Sequence, residues 1–367
     1  MTTRREFITL SASALALQAS GLAAVTPATR PLDILFLGGT GFLGPHQINY
    51  AVARGHRVTM FNRGSNAGMY GDAVEELVGN RDPAVDDGLS VLQGDRTWDV
   101  VVDNSGYVPR HVRASAELMK NRCRRYIYVS TVAVYDFDAG ARNFPESAKL
   151  ADLKDPTIEE VTGETYGPLK AECDRLVRNI LGDACTVVRP TYVVGPGDHT
   201  DRFTYYVDRV NRGGDVLAPG LPDTEVQWVD ARDLCPWIVT LAENATRGIF
   251  NAAGPASPFD RSGFMWGLRA LTAEPVNFFW PDPELLAELE ISMPMMSSQR
   301  GSTHFENTAS KQAGLRYRSL ADTAMGTLEW WQSQSAERRA NPRRWPGAEQ
   351  ERAAIERLRR GAEGGAT

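Results

Sequence analysis

Metal-binding and cross-linking residues are scarce in this chain. Its four cysteines, Cys123, Cys173, Cys185 and Cys235, stand far apart and never as a CxxC pair, so neither a zinc site nor a dithiol redox motif is written in them, and they read as free, buried thiols. The five histidines, His46, His56, His111, His199 and His304, never fall in HExxH spacing, and no metal is expected. Basic excess is missing too. Against 46 Asp and Glu stand 40 Lys and Arg, a formal charge of -6, whereas binding nucleic acid by bulk electrostatics needs a basic face; no nucleic-acid partner is expected. Residues 10–24 form a moderately apolar run, but it is too short and too rich in Ser and Ala to make a good transmembrane helix.

The paired arginines of Thr3-Arg4-Arg5-Glu6-Phe7-Ile8 stand just ahead of that run, and Ala-rich sequence open to cleavage follows it. The arrangement resembles a twin-arginine export signal, so residues 1–30 are expected to be removed and the mature protein to be periplasmic, with no membrane span. The competing reading is the basic N-terminus of a cytoplasmic protein. Export by a route that carries folded cargo suits a protein that acquires a dinucleotide before crossing the membrane.

Beyond residue 30 the chain alternates between strand and helix signals. Asp33-Ile34-Leu35-Phe36-Leu37 is an apolar run of strand length, followed at once by Gly38-Gly39-Thr40-Gly41-Phe42-Leu43-Gly44 and a helical stretch to Arg54. Glycines 38, 41 and 44 permit a tight turn, close approach of backbone amides to a pyrophosphate, and close helix-to-strand packing at a positive helix end. Gly38, Thr40, Gly41, Phe42, Leu43 and Gly44 are therefore candidate dinucleotide ligands. The next strand, 57–61, ends in Asn62-Arg63, where an NAD enzyme offers an acid to the adenosine ribose. Arg63 can instead pair with a 2′-phosphate, so the expected cofactor is NAD(P), with NADP favoured over NAD. Strands at 74–78 and 99–103 lead into Gly79-Asn80-Arg81-Asp82 and Asn104-Ser105-Gly106, and a helix at 109–120 and a strand at 126–129 complete the set. Continuous apolar runs interleaved with helices predict an α/β fold: a Rossmann-type, doubly wound parallel sheet buried on both faces, with its ligand at the carboxyl ends of the strands.

The fifth strand runs into Ser130-Thr131-Val132-Ala133, and further on comes Tyr166-Gly167-Pro168-Leu169-Lys170. Tyr166 and Lys170, four apart, share a helical face, with Pro168 tolerated in a first turn. Free tyrosine ionises near pH ~10, so Tyr166 needs a neighbouring cation to act as a base at neutral pH, and Lys170 supplies it. Together with the glycine turn, these motifs resemble the extended short-chain dehydrogenase/reductases, the superfamily of nucleotide-sugar epimerases and dehydratases, over residues 32–330. The resemblance implies that Tyr166 is the acid and base, that Lys170 also holds the nicotinamide ribose, and that Thr131 hydrogen-bonds the substrate oxygen. It further implies a cofactor lined by Asn62, Arg63, Asn80, Arg81, Asn104, Ser105, Gly106 and Pro190. Val132 and Ala133 stand where sugar 4,6-dehydratases carry an acidic pair, and neither can titrate, which argues against water loss by that route. Asn80 replaces the family's adenine-binding Asp, and Asp103-Asn104-Ser105-Gly106 replaces its His-x-Ala-Ala. The chain thus falls in an atypical branch, some of whose members bind RNA rather than convert sugars.

After the strand expected at 185–190 the sequence becomes loop-rich, and a smaller, discontinuous substrate lobe is expected at 191–224 and 256–335. The dinucleotide domain spans 31–190, with a return segment near 225–255. Tyr192 and Arg202 are candidate substrate contacts, Arg232-Asp233 a domain-tethering charge pair, and 336–367 a solvated, charged helix with a frayed tip. The expected activity is hydride transfer between a bound nicotinamide and a hydroxyl or ketone of a polar, sugar-like small molecule, by an oxidoreductase or an epimerase. An NADPH-dependent ketone reductase, and a dinucleotide-binding sensor or RNA-binding relative without turnover, are the alternatives. In relatives the helices flanking strands four and five pair as homodimers.

Overall fold

The computed structural model describes residues 25–295 and 303–364, so residues 1–24 of the expected export signal lie outside the described residues. Strands β1 (Asp33–Leu37), β2 (Arg57–Asn62), β3 (Glu75–Val78), β4 (Trp98–Asp103), β5 (Cys123–Val129), β7 (Cys185–Pro190) and β11 (Gly248–Ala252) form one seven-stranded sheet in the order β11-β7-β5-β4-β1-β2-β3. Every neighbouring pair is parallel. Three two-stranded pairs stand outside it: β6 (Asn143–Phe144) with β13 (His304–Phe305), β8 (Tyr192–Val194) with β10 (Trp228–Asp230), and β9 (Gly214–Leu217) with β12 (Val276–Phe279). The helices are α1 (Leu43–Ala53), α2 (Pro109–Met119), α3 (Tyr166–Leu181), α4 (Arg202–Asn211), α5 (Ala231–Glu243), α6 (Arg261–Arg269), α7 (Pro283–Glu288), α8 (Thr308–Gln312), α9 (Leu320–Ser333), α10 (Ala336–Ala340) and α11 (Ala348–Gly364). No helix among the described residues is long and apolar enough to cross a membrane.

Side chains alternate between the two faces of a strand, and the continuous apolar runs fill both faces at once. Along β1, Ile34 and Phe36 join Val58, Met60, Val100 and Val102 under α1 and α5, while Leu35 and Leu37 join Val101, Tyr126 and Tyr128 under α2 and α3. Each such side chain, taken fully out of water, contributes about 1.5–3 kcal/mol. The edge strand β3 departs from the expected buried run: Val78 is exposed and Glu75 pairs with Arg96 at 2.6 Å, because only one neighbour covers it. Strand order reverses at β1, which has β2 on one side and β4 on the other, and a crevice opens there beyond the carboxyl ends of the strands.

The second lobe has its own core, in which the rings of Phe203, Tyr206, Trp228 and Phe264 meet at centroid distances of 5.4 to 6.2 Å. Arg232 and Asp233 both tether, but to different partners: Arg232 to Asp230 at 2.7 Å and Asp233 to Arg318 at 2.8 Å. The C-terminal stretch expected to be solvated is instead docked. Ala354 and Ile355 of α11 are buried in the second core, and Glu351 accepts hydrogen bonds from Arg209 Nε (2.8 Å) and the backbone N–H of Leu217 (3.2 Å). Its high charge concealed one apolar stripe. In α9, Trp331 is buried, whereas Leu328 and Trp330 are half-buried. All four thiols are free; Cys173, Cys185 and Cys235 are buried and Cys123 half-buried.

A buried ion pair joins α3 to β7. Arg189 Nε donates to Asp174 Oδ2 at 2.9 Å, both side chains being almost wholly out of solvent, and Arg178, half-exposed, donates to Asp174 Oδ1 at 2.8 Å. Replacing Arg189 with Met leaves Asp174 with only its outer partner and is expected to lower the unfolding free energy by about 3–5 kcal/mol. Arg178→Met should cost under about 1 kcal/mol. Urea denaturation of the two variants checks the difference.

Candidate active site

A cleft of about 1290 Å³ opens at the reversal point and runs out between the sheet and the second lobe. At its inner end lies the glycine turn. Gly38 turns with φ +85°, which a side chain resists; a Cβ on Gly44 would meet the Gly39 carbonyl at 2.0 Å; and Gly41 faces open space. Helix α1 starts from this turn with no side-chain cap and no acid in its first turn, so its unpaired N–H groups and positive end are left for an anion. Thr40, Phe42 and Leu43 line the same wall. Asn62 and Arg63 line it at the end of β2. The Asn62 side chain is committed, donating to Glu76 (2.8 Å) and accepting from the Gly64 N–H (2.5 Å), whereas Arg63 has no hydrogen bond or ion pair among the described residues.

Asn80 and Arg81 also reach the cleft, but Arg81 is turned inward. Its guanidinium forks onto Asp103 at 2.7 and 2.5 Å and touches Ser105 Oγ at 3.1 Å. Burial alone would raise the Asp103 pKa; the Arg81 charge and its hydrogen bonds outweigh it and hold the carboxyl below its usual range. Asn104 and Ser105 line the cleft; Gly106 does not, because its carbonyl accepts from Lys170 Nζ and from Tyr128 OH, each at 2.7 Å. Asn104 Oδ1 and Ser130 Oγ are buried on the cleft wall without a partner among the described residues. Orphaned polar atoms beside an uncapped helix and an open glycine turn fit a dinucleotide.

Tyr166 opens α3. Helix α3 lies so close to the 131–133 turn that a Cβ on Gly167 would meet the Ala133 carbonyl at 2.4 Å, and this approach sets Tyr166 beside Thr131 in the cleft with Lys170 and Pro190. Burial raises the Tyr166 pKa; the Thr131 hydroxyl and the positive charge of Arg202 oppose it. Arg202 is thus a cation bearing on Tyr166 that the four-residue spacing did not announce. The Lys170 ammonium is drawn onto the carbonyls of Gly106 (2.7 Å) and Val129 (2.8 Å), 4.2 Å from the centroid of Tyr128, and burial lowers its pKa to about 8.

The second lobe supplies the facing wall. Tyr192 and Arg202 are on it, as the sequence suggested, with the Arg202 guanidinium 5.0 Å from the centre of the Tyr192 ring. Four further features carried no spacing signal: Tyr107, Asp198, Arg261 and the 224–227 segment. Asp198 is almost fully buried, one oxygen accepting from Thr200 N–H (2.8 Å) and hydroxyl (2.6 Å), the other without a partner among the described residues, and burial raises its pKa. Met295 is buried and touches the cleft.

Comparison with known proteins places this geometry. A curated relative, chloroplast stem-loop binding protein of 41 kDa b from Arabidopsis thaliana, is 26% identical over 277 residues, 69% of this chain and 65% of that protein; the chain thus spans under two thirds of the relative's length. The UDP-N-acetylglucosamine 4-epimerase from Methanobrevibacter ruminantium M1, in complex with UDP-N-acetylmuramic acid, superposes with a TM-score of 0.62 at 14% identity, covering 84% of this chain and 100% of that one. UDP-glucuronic acid 4-epimerase from Bacillus cereus, in complex with NAD, gives 0.59 at 15% identity over 83% and 99%. WbmG from Bordetella bronchiseptica, in complex with NAD and UDP, gives 0.59 at 15% over 83% and 95%. At these identities the likeness is one of fold. The sequence model of the NAD dependent epimerase/dehydratase family matches residues 34–253, and the chain belongs to that family.

Proposed function

We propose that this protein is an NAD(P)-dependent oxidoreductase or epimerase acting on a hydroxyl or ketone of a sugar-like, nucleotide-linked substrate. The observation that carries this reading is the meeting of Thr131, Tyr166 and Lys170 in one cleft with the glycine turn at the start of α1. The group bound there would supply the hydride acceptor and donor. Thr131 and Tyr166 hold the substrate oxygen, and Tyr166 takes its proton as the carbonyl forms and returns it on reduction. Lys170 spends two of its three N–H donors on Gly106 and Val129, which leaves one for a ribose hydroxyl. On the facing wall Arg202 and Arg261 offer charge to an anionic substrate, and the Asp198 oxygen that has no partner among the described residues is placed to pair with a sugar hydroxyl. Nucleotide-sugar epimerases among the structural neighbours support the substrate class. The uncommitted Arg63 supports NADP over NAD. The name of the plant relative speaks for stem-loop binding; the net charge of -6 speaks against a nucleic-acid partner here. Residues 1–30 as a twin-arginine leader to the periplasm, and a homodimer through α2 and α3, belong to the same proposal.

Three measurements test it. Tyr166→Phe should lower kcat on a responding UDP-hexose or UDP-uronic acid by about 10²- to 10⁴-fold with the dinucleotide Kd unchanged; undiminished turnover sinks the mechanism. In fluorescence titrations, Arg63→Ala should weaken NADP about tenfold or more while leaving NAD unaffected, as loss of a phosphate partner worth roughly 1.5–3 kcal/mol requires. Because the Lys170 pKa is lowered to about 8 by burial, its charge is present below that pH and lost above it. Dinucleotide affinity should therefore fall as pH rises through about 8, and in Lys170→Met be weak and flat across the same range.

A further inference from the structure

Asp201 sits at the start of α4 in the left-handed region, φ 56° and ψ 16°, and is fully buried. A side chain makes that backbone unfavourable, so it persists only where its surroundings hold it. Among the described residues, all of the outside holds come from one short piece of chain near the C-terminus. Arg338 Nη2 donates to both Asp201 carboxylate oxygens at 2.6 and 2.7 Å, the Arg343 N–H donates to Oδ2 at 2.8 Å, and Trp345 Nε1 donates to the Asp201 carbonyl at 3.0 Å. This piece is itself seated on α9: the Arg338 guanidinium lies 5.0 Å from the Trp331 ring centre, and the Trp345 ring 5.5 Å from it.

The neighbours of Asp201 face the other way. Asp198, Thr200 and Arg202 all line the cleft, and Arg202 Nε donates to Thr200 Oγ1 at 2.9 Å. One turn therefore presents its buried carboxylate to the C-terminal segment and its cation to the active site. We propose that residues 338–345 form a clasp that pins Asp201 in its left-handed turn and thereby holds Arg202 over Tyr192 on the wall of the cleft that also contains Tyr166, which makes Arg338 and Trp345 positioning residues for proton transfer. This rests on the assignment of Tyr166 as acid and base. Removing Arg338 leaves a buried carboxylate without its cation, which the turn relieves by moving, and the peptide that moves is the one that carries Arg202. The fall of the Arg202 charge on Tyr166 agrees with this arrangement.

The test is the ionisation of Tyr166 in the full-length protein, read as the tyrosinate absorbance difference between each protein and the same protein carrying Tyr166→Phe. Arg202→Gln should move the Tyr166 titration up by about one pH unit, the scale of a lost neighbouring charge. Arg338→Met should give most of that shift, and Trp345→Phe, which keeps the ring contact and loses the N–H, a smaller shift in the same direction. Adding Asp201→Gly to Arg338→Met supplies a residue that takes positive φ freely and carries no charge, and should bring the titration back toward wild type. The clasp is overturned if Arg338→Met and Trp345→Phe titrate as wild type, or if Arg202→Gln does; should Arg338→Met not fold, Trp345→Phe decides. Failure of the oxidoreductase reading shows separately, as absent turnover and no dinucleotide released from the purified protein.

Discussion

The ammonium of Lys170 is the point at which the sheet, the helix that carries Tyr166 and the wall of the cleft are tied together. It stands on α3 and is out of solvent, yet it bonds the carbonyl that follows β4 and the carbonyl that ends β5, over the face of Tyr128. A buried cation is costly unless its charge is compensated, and charge-assisted bonds to two carbonyls with a ring beneath offset that cost. These bonds hold the two strand ends at a fixed separation. Tyr166, one helical turn away on the same helix, inherits its place from that anchor.

Much of this was legible in the sequence because it is local. The run Asp33–Leu37, the glycine turn and the helix after it are neighbours in the chain, and an apolar run of strand length next to a glycine-rich turn reads the same way wherever it occurs. Tyr166 and Lys170 are likewise fixed by helical period. What escaped the sequence depends on partners remote in the chain. Arg81 was read as a cofactor ligand, yet its charge is spent on Asp103, 22 residues away. Gly106 was placed on the cleft by its position after a strand, yet the direction of its carbonyl is decided by a lysine 64 residues away. Arg202, whose charge opposes the rise of the Tyr166 pKa, directly follows a residue with positive φ that no periodicity announces. The charged C-terminal helix read as solvated because its single apolar stripe, Ala354 and Ile355, is too narrow to stand out.

The two walls of the cleft are built on different principles. The dinucleotide wall is made by strand ends and backbone, with glycine positions that tolerate little change. The facing wall is made of side chains on loops and helix starts, Asp198, Arg202, Arg261 and the 224–227 segment, carried by a separate aromatic core. Loop-borne side chains vary without disturbing a sheet. The chain shares its fold with epimerases at 14 to 15% identity.

The four free thiols have a chemical consequence. Burial pushes Cys173 up to about 11, Cys123 and Cys185 up to about 12, and Cys235 higher still. Exchange with disulfides and attack on peroxides proceed from the thiolate, which at neutral pH is almost absent at such positions. Burial in the fold thus disfavours these reactions at the four sulfurs, and unfolding removes that restraint. Folding itself is the protection of its cysteines.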